Sequence, residues 1–445
     1  MPEPLRVVGE WRRLSPESYS TLMRRGLDHI FDASLRDTVL EIIEDVRVAG
    51  DEAIARALRT FDGCDVEPGG LRVSEEEFAR ARADADPRLV RAIKDSIERV
   101  KRFNEWIIER AGWWRECAPG LMVGEVVTPI ESAGLFVPSG KGSYPSVLIQ
   151  IGTPAVVAEV PRIAVVVPPL AGSHGEVDPA VLIVADELGL REVFRANGPA
   201  GIAALAFGTA TVPRVLKVVG PGGPPVTCAQ LEVQRFGTVS HLLLGPSESL
   251  VIADDTADPV LLAADLLNEA EHGPDSSSFL VTDSRRLLGL TQAEVARQLA
   301  ELPEPRRSYA ARALGRNGGA ILVRDLDEAA EVANALAPEH MQVVTADPGK
   351  LLPLLRNAGE NLLGPWTPIS AANFAIGCPA ALPTSGYAKV CGGVNADVFR
   401  KRTAIAQADE QALIRMAPTI AALAGHEGFP AHAASALRRL RGPER

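Results

Sequence analysis

Two short stretches of the sequence place carboxylates and histidines at spacings suited to chemistry. In NEAEHGPDSS, Glu269 and His272 are three residues apart and would share a helix face. In LAPEHMQVV, Glu339 and His340 are adjacent, between a predicted helix and a buried strand. A carboxylate and an imidazole one helical turn apart can bind a divalent metal, and an adjacent pair facing a cleft can transfer protons at neutral pH. Taken alone, the two stretches also fit a solvated helix end and a turn with a polar cap.

A third group of ionisable residues lies near the C-terminus, in the segment GHEGFPAHAASAL. It contains His426, Glu427 and His432. On spacing alone this segment is typical of a solvated helix surface.

The elements that would position these groups follow from the hydrophobic periodicity. Residues 15–110 carry apolar positions at helical spacing. From Ala133, short apolar runs of strand length alternate with segments of helix length, which predicts parallel sheets with helices on both faces. From Asp397 the pattern is helical again. We therefore predict an α/β fold of two tandem doubly wound, incomplete Rossmann-like domains, with a helical N-terminal lead-in and a helical C-terminal tail.

The composition shifts also give predicted domain bounds. They are 1–125 for a helical N-terminal region that packs partly with the second α/β domain, 126–245 for the first α/β domain, 246–390 for the second α/β domain with the metal and Glu-His site, and 391–445 for the helical tail.

The helix that carries Glu269 has a predicted end. It continues through His272, Gly273 would supply a left-handed C-terminal residue, and Pro274 stops it. We expect this helix end to lie beside the carboxyl edge of a parallel sheet.

Neither α/β unit has a GxGxxG fingerprint after its first strand. Two glycine-rich turns, PSGKGSYP (138–145) and GPGGPP (220–225), fit tight turns after strands at least as well as ligand contacts.

Composition excludes several classes of protein. The chain has 445 residues, of which 46% are hydrophobic and 23% charged, as in a folded enzyme of several domains. The net charge is -11 and the basic residues are interspersed with acidic ones, which argues against nucleic-acid binding. No apolar run resembles a signal peptide or a membrane span, so we expect a cytoplasmic protein. The five cysteines include no CxxC pair, which argues against disulfides and a thiolate zinc site.

In combination, several blocks resemble the histidinol dehydrogenase family. They are GPSESLVIAD, LLNEAEHGPDSSSFLVT, LAPEHM, LPTSGYA, DVFRKRT and HEGFPAHA, in the family's order and spacing from about Ala133 to the C-terminus. The resemblance implies a zinc-dependent, NAD-linked enzyme that oxidises a primary amino alcohol through the aldehyde to the carboxylate, using two NAD molecules in turn. It also implies a homodimer in which the tail histidine, His432, completes the neighbouring site.

The family's catalytic pair falls on Glu339 and His340. His340 would take the alcohol proton, and Glu339 would activate the water that attacks the aldehyde. The implied metal ligands are Glu269, His272, Asn373 and His432, where the family has Gln, His, Asp and His. The charge of the four ligands is therefore unchanged, although its placement differs.

The implied substrate positions are partly retained. Ser247 and Glu427 match the family, and Asn373 belongs to this set as well as to the ligands. The family's substrate histidine is Ala380 here, and an acidic residue is Ile369. A more apolar alcohol than histidinol fits these changes.

The implied cofactor contacts fall on Phe136, Ala200 and Gly223, where the family has Tyr, Gln and Asn. Each lost hydrogen bond to NAD would cost roughly 0.5–1.5 kcal/mol. Three functions are thus open: an NAD- and Zn²⁺-dependent (or other divalent metal) dehydrogenase of histidinol or a related small alcohol, a relative that binds a metabolite or metal without NAD chemistry, and an aldehyde oxidation through a thiolate at Cys228 or Cys378.

Overall fold

The structure is a computed structural model that describes residues 4–25, 32–110, 112–139, 142–241 and 245–440. Its strands are β1 (Val7–Glu10), β2 (Trp113–Ala118), β3 (Leu121–Pro129), β4 (Ser132–Phe136), β5 (Arg162–Val167), β6 (Glu192–Arg195), β7 (Lys217–Val219), β8 (Val239–Ser240), β9 (Glu248–Ala253), β10 (Ser277–Thr282), β11 (Gly319–Leu322), β12 (His340–Val344), β13 (Glu360–Leu363) and β14 (Arg400–Ala408).

The α-helices of the described residues connect these strands and cover their faces. They are α1 (Pro16–Met23), α2 (Ala33–Ala49), α3 (Asp51–Ala57), α4 (Glu75–Ala83), α5 (Pro87–Ile108), α6 (Pro145–Val157), α7 (Pro179–Glu187), α8 (Gly198–Phe207), α9 (Pro224–Glu232), α10 (Pro259–Ala270), α11 (Arg285–Leu299), α12 (Arg306–Arg312), α13 (Leu326–Leu336), α14 (Pro348–Leu351), α15 (Ile369–Ala371), α16 (Glu410–His426) and α17 (Pro430–Leu440).

The first α/β unit is built on a five-stranded parallel sheet with the order β6-β5-β4-β7-β8. Its central strand β4 is buried along its whole length, as expected of a parallel strand covered on both faces. One apolar cluster joins this sheet to α4, α5, α6 and α7, and a second joins it to α2, α3, α8 and α9. Most of the predicted N-terminal region therefore packs on the first α/β unit.

The second α/β unit is built on a six-stranded parallel sheet with the order β1-β11-β10-β9-β12-β13. Helices α10 and α11 cover one face, and α1 and α13 cover the other. The two sheets confirm the predicted α/β fold class, although β1 at the edge of the second sheet was not predicted. The N-terminal region is thus divided between the two sheets, while the predicted domain bounds stay predictions.

A separate antiparallel sheet with the order β14-β3-β2 joins the region before the first unit to the C-terminal tail. All six residues of β2 are exposed, and β14 is exposed along most of its length. Strands without a buried face need not alternate apolar and polar residues, so the sequence pattern did not reveal them. The tail therefore begins with a strand and continues as the α16–α17 hairpin.

The direction of the strands and helices in the second unit determines at which edge of its sheet the predicted site lies. Helix α10 runs back along the sheet from the end of β9, so its C-terminal end lies at the amino edge of the strands. The expectation that this helix end lies beside the carboxyl edge is wrong, because a helix that connects two parallel strands runs opposite to both. The amino edge is formed by the first residues of β9, β12 and β13, which are Glu248, His340 and Glu360.

Candidate active site

Glu269 lies in the last turn of α10 and is completely buried. Its Oε1 atom accepts hydrogen bonds from Asn268 Nδ2 at 2.9 Å and from Asn373 Nδ2 at 3.0 Å. Its Oε2 atom is buried with no hydrogen-bond partner among the described residues and lies 3.2 Å from His272 Nδ1. One oxygen is thus fixed by two amides, and the other is left to a ligand.

His272 follows the helix in a turn. Helix α10 ends at Ala270, two residues earlier than predicted, and Gly273 does not take the predicted positive φ. The turn is closed by His272 N–H, which donates to the Glu269 carbonyl at 3.3 Å, so the two side chains remain neighbours. The His272 Nδ1 atom also lies 3.2 Å from Ser247 Oγ. The structure therefore brings together one predicted substrate residue and two predicted metal ligands.

The geometry of this group fits a metal ion. Two donor atoms bound to one tetrahedral zinc ion are roughly 3.3 Å apart, close to the 3.2 Å between Glu269 Oε2 and His272 Nδ1. Asn373 donates a hydrogen bond through Nδ2 to Glu269, which leaves its Oδ1 as the atom that could bind a metal ion. An unpartnered buried carboxylate oxygen is the observation that supports the fit.

The predicted tail residues lie on the α16–α17 hairpin. His426 and Glu427 are exposed at the end of α16, and the ring of His432 on α17 packs against Phe429, with the ring centroids 5.0 Å apart. Within the ranges that the structure covers, no three His, Cys, Asp or Glu side chains form a group that could hold a metal ion. One chain therefore does not bring His432 to Glu269 and His272.

Glu339 and His340 lie where α13 gives way to β12. Ala337 ends the helix with a left-handed φ of 50°, and Pro338 then directs the chain into the strand. Glu339 Oε2 accepts a hydrogen bond from the Glu248 backbone N–H at 3.0 Å, and its Oε1 lies 3.8 Å from His340 Nε2. His340 is therefore buried, Glu339 is largely buried, and the two side chains face each other.

This group has a third member, Glu360, which the sequence did not reveal. Glu360 Oε1 lies 2.5 Å from His340 Nδ1, and Cys378 Sγ donates to Glu360 Oε2 at 3.3 Å. Glu360 begins ENLLG, one of the short runs of strand length in the second unit. Glu360 reaches His340 because its strand pairs with β12. The order of strands in a sheet could not be predicted from the sequence.

A buried ion pair from the N-terminal region was likewise not predicted from the sequence. Arg25 Nε lies 3.0 Å from Glu248 Oε1, and Arg25 Nη2 donates to Glu248 Oε2 at 3.0 Å. The same guanidinium donates to the carbonyl of Leu336 at 2.7 Å, at the end of α13. This pair connects the N-terminal region to the backbone that holds Glu339.

Burial and mutual charge shift the pKa values of the site. Burial raises the pKa of Glu339 to about 8, because the positive charge of His340 offsets only part of the loss of solvation. For His340, burial acts to lower the pKa, but the negative charges of Glu269, Glu339 and Glu360 outweigh it and raise it to about 10. The Cys378 thiol has its pKa raised to about 12 by burial and by Glu360, which disfavours a thiolate nucleophile.

The predicted cofactor positions lie at the carboxyl edge of the first sheet. Phe136 and Ala200 are almost completely buried in one apolar cluster. Gly223 is the N-cap of α9, and Pro224 and Pro225 follow it, so the first two helical residues have no N–H to donate. These positions do not fit the side-chain contacts that the family makes with NAD.

The two glycine-rich turns have different outcomes. An added Cβ at Gly220, whose φ is 151°, would lie 2.1 Å from the carbonyl oxygen of Phe136. A close approach of two strand ends explains this glycine, as in the tight-turn interpretation. In PSGKGSYP, Gly140 and Lys141 lie outside the described residues.

The diverged substrate positions lie beside the second unit's sheet. Ile369 is fully buried and packs with Leu362 and Ala372. The backbone N–H of Ala380 donates to Gln150 Oε1 on α6 at 3.2 Å, so the first unit contacts the second at this position. Both side chains are apolar and offer no partner for an imidazole or an amine.

The fold and the site together define an α/β enzyme with a buried acid/base pair beside a potential metal site. The histidinol dehydrogenase family model matches residues 28–440, and the chain belongs to this family of NAD-dependent oxidoreductases. In the described part of the chain, no helix has the length and apolar character needed to cross a membrane.

Similar proteins agree with this family. A histidinol dehydrogenase of Synechocystis sp. is 39% identical over 426 residues, which cover 96% of this chain and 97% of that protein. A histidinol dehydrogenase homolog of Rhizobium meliloti is also 39% identical, covering 95% of this chain and 92% of that protein. The crystal structure of histidinol dehydrogenase from Elizabethkingia anophelis has a TM-score of 0.92 and 30% identity and covers 99% of both chains.

Proposed function

We propose that this protein oxidises a small primary alcohol through the aldehyde to the carboxylate, with zinc or another divalent metal and with NAD as the family's hydride acceptor. The alcohol is L-histidinol or a related amino or hydroxy alcohol. The observation that supports this proposal is the buried Glu339–His340 pair at the same sheet edge as Glu269 and His272.

The roles of the acid/base pair follow from its hydrogen bonds. The Nδ1 atom of His340 lies against Glu360, which leaves Nε2, on the side of Glu339, to take the hydroxyl proton of the alcohol once the imidazole is neutral. Because the pKa of His340 is raised to about 10, this neutral form gains population as the pH rises. Glu339 is held by the Glu248 N–H through one oxygen, so its other oxygen can accept a proton from the water that adds to the aldehyde. The whole conversion of alcohol and water to carboxylate releases two hydrides and three protons.

The proposed ligands for the metal are Glu269, His272, Asn373 and His432. When bound there, a divalent metal would polarise the oxygen of the alcohol and stabilise its deprotonated form. Three of the four residues lie together in one chain, and His432 lies on the exposed α16–α17 hairpin. We therefore propose a homodimer in which the partner subunit supplies the tail histidine and Glu427.

The substrate specificity is proposed from the apolar positions. Histidinol needs polar partners for its imidazole and its amine, and Ala380 and Ile369 supply none. Unpaired polar groups of a bound ligand carry a cost of about 1–3 kcal/mol each. We therefore expect a more apolar alcohol to be the better substrate.

A second candidate function is the binding of a metabolite or metal without NAD chemistry. The burial of Phe136 and Ala200 in the apolar core favours it, because these positions cannot contact a dinucleotide through polar side chains. Calorimetric titration with NAD distinguishes the two candidates. Absence of binding at millimolar NAD would exclude the dehydrogenase and leave the binding protein.

The proposed function is tested by two measurements on the same purified protein. The first is the metal content, and the second is NADH formation over a panel of amino and hydroxy alcohols that includes histidinol. We expect close to one divalent metal ion per chain and NADH formation with at least one alcohol. Bound metal without oxidation of any alcohol would favour the second candidate.

A further inference from the structure

We propose that Glu360 is a positioning residue of this site: its carboxylate holds the His340 imidazole by Nδ1 and keeps Nε2 as the basic nitrogen directed at the reacting hydroxyl. The proposal deepens the proposed function, on which it rests for the role of His340. The Glu-His pair implied by the sequence thereby becomes a group of three, Glu339, His340 and Glu360.

The register of the second sheet brings the two side chains together. Strands β12 and β13 are parallel neighbours, and His340 and Glu360 are directly paired as their first residues. Paired residues of parallel strands present their side chains on the same face. Glu360 therefore reaches the imidazole from the adjacent strand and not from its own.

Gly359 allows the two strand starts to approach closely. Its N–H donates to the carbonyl of Pro338 at 3.0 Å, and the next N–H, of Glu360, donates to the carbonyl of Glu339 at 3.2 Å. A Cβ added at Gly359 would lie 2.4 Å from the Glu339 carbonyl oxygen. A side chain at this position would separate β13 from β12 and draw the carboxylate away from the imidazole.

The hydrogen bonds of Glu360 leave it little freedom. Oε1 lies 2.5 Å from His340 Nδ1, Oε2 accepts from the Cys378 thiol at 3.3 Å, and the side chain is 7% exposed. Because both oxygens are engaged, the carboxylate is fixed in its rotamer. An anionic acceptor at Nδ1 requires the proton on that nitrogen, so the neutral imidazole carries its lone pair on Nε2.

In this arrangement, the carboxylate of Glu360 orients the general base His340. A carboxylate at the far nitrogen selects the tautomer, fixes the ring and stabilises the imidazolium that forms when His340 accepts a proton. A role limited to joining β12 and β13 would also use the hydrogen bond, but it would not depend on the charge of Glu360. The test therefore separates the charge from the hydrogen bond.

The experiment compares Glu360→Gln, Glu360→Ala and the matched control Cys378→Ala in the metal-loaded protein. Glu360→Gln keeps the size and polarity of the side chain, so the proposal can still be tested if Glu360→Ala does not fold. We expect kcat to fall roughly 10- to 100-fold in both Glu360 variants with KM changed less than about threefold. Cys378→Ala removes only the hydrogen bond to Oε2 and leaves the one to His340, so its kcat should fall less than in either Glu360 variant.

A second readout does not depend on turnover. The Nδ1 proton of a histidine bonded to a carboxylate gives a far-downfield proton resonance, which should be present in the parent protein and in Cys378→Ala and absent in both Glu360 variants. Persistence of the resonance in Glu360→Gln and Glu360→Ala, or an unchanged kcat in Glu360→Gln, would overturn the proposal. A parent protein that shows the resonance but oxidises no alcohol would instead overturn the proposed function, because the hydrogen bond is then present without the reaction.

Discussion

Replacing Asn373 by Asp would place a second carboxylate against the buried carboxylate of Glu269. In the parent protein the amide of Asn373 donates to Glu269 Oε1 at 3.0 Å. The variant loses that donor and gains a negative charge at the same place. Without a metal ion, the two carboxylates can share the site only if one of them is protonated.

The size of the effect follows from the separation. At 3.0 Å, two full charges would repel by about 5–6 kcal/mol at an effective dielectric constant of about 20. Protonating one carboxyl avoids this repulsion and costs about 4 kcal/mol at pH 7 and about 2 kcal/mol at pH 5.5, given an ordinary pKa of about 3.9. The cost of protonation is smaller than the repulsion, so it determines how much the free energy of unfolding decreases. Because the pKa in the folded state is raised above its unfolded value, the loss is present above the unfolded pKa and shrinks as the pH falls towards it.

The assay is thermal unfolding of the metal-free protein, kept in a chelator, at pH 7 and pH 5.5. We expect Asn373→Asp to unfold roughly 5–10 °C below the parent at pH 7 and about half as far below it at pH 5.5. The double variant Glu269→Gln, Asn373→Asp again has one amide and one carboxylate, in exchanged positions. It should recover most of the unfolding temperature that Asn373→Asp loses. Glu269→Gln alone keeps an acceptor for Asn373 and should cost only about 1 kcal/mol.

Two outcomes would refute this reasoning. Equal unfolding temperatures for Asn373→Asp and the parent at pH 7 would show that the two side chains are not in contact. A double variant as unstable as Asn373→Asp alone would show that the amide and the carboxylate are not interchangeable, since coupled residues must give non-additive effects.

Further expected outcomes concern the metal, the base and the thiol. His272→Ala and His432→Ala should each remove the bound metal, whereas His426→Ala should not; equal metal content in His272→Ala and the parent would contradict the ligand assignment. In the metal-free protein, burial raises the pKa of Glu339 to about 8, so we expect its carboxyl to be largely protonated at pH 7 and to ionise as the pH rises above 8. An infrared titration against Glu339→Gln checks this, and a midpoint near 4 would disagree. Burial and Glu360 raise the pKa of Cys378 to about 12, so its thiol stays protonated at pH 7. Its alkylation should be very slow, and Cys378→Ala should stay active.

The strands of the two parallel sheets could be predicted because they are buried. The apolar runs from Ala133 to Leu363 gave nearly every strand of both sheets, since a strand covered on both faces is continuously apolar. The edge strand β1, the half-buried strand β3 and the exposed strands β2 and β14 have no such signal. Whether a strand could be predicted from the sequence therefore depended more on its burial than on its strand propensity.

The candidate site was predicted where its residues are close in sequence and missed where the sheet brings them together. Glu269 and His272 are joined by one turn, and Glu339 and His340 are neighbours. Glu360 reaches His340 only through the pairing of two strands. Sheet order and register depend on long-range packing, which periodicity does not report.

The placement of the site at the amino edge of the second sheet has an electrostatic consequence. Helices α10 and α13 both end there, and the C-terminal end of a helix carries a partial negative charge from its unpaired carbonyl groups. Helices α6 and α8 instead begin at the carboxyl edge of the first sheet, where the partial charge is positive. Each helix end contributes about 0.3–1 kcal/mol to a nearby ion. The backbone itself therefore favours a cation and a protonated imidazole at the amino edge of the second sheet and an anionic ligand at the carboxyl edge of the first, whichever side chains occupy these positions.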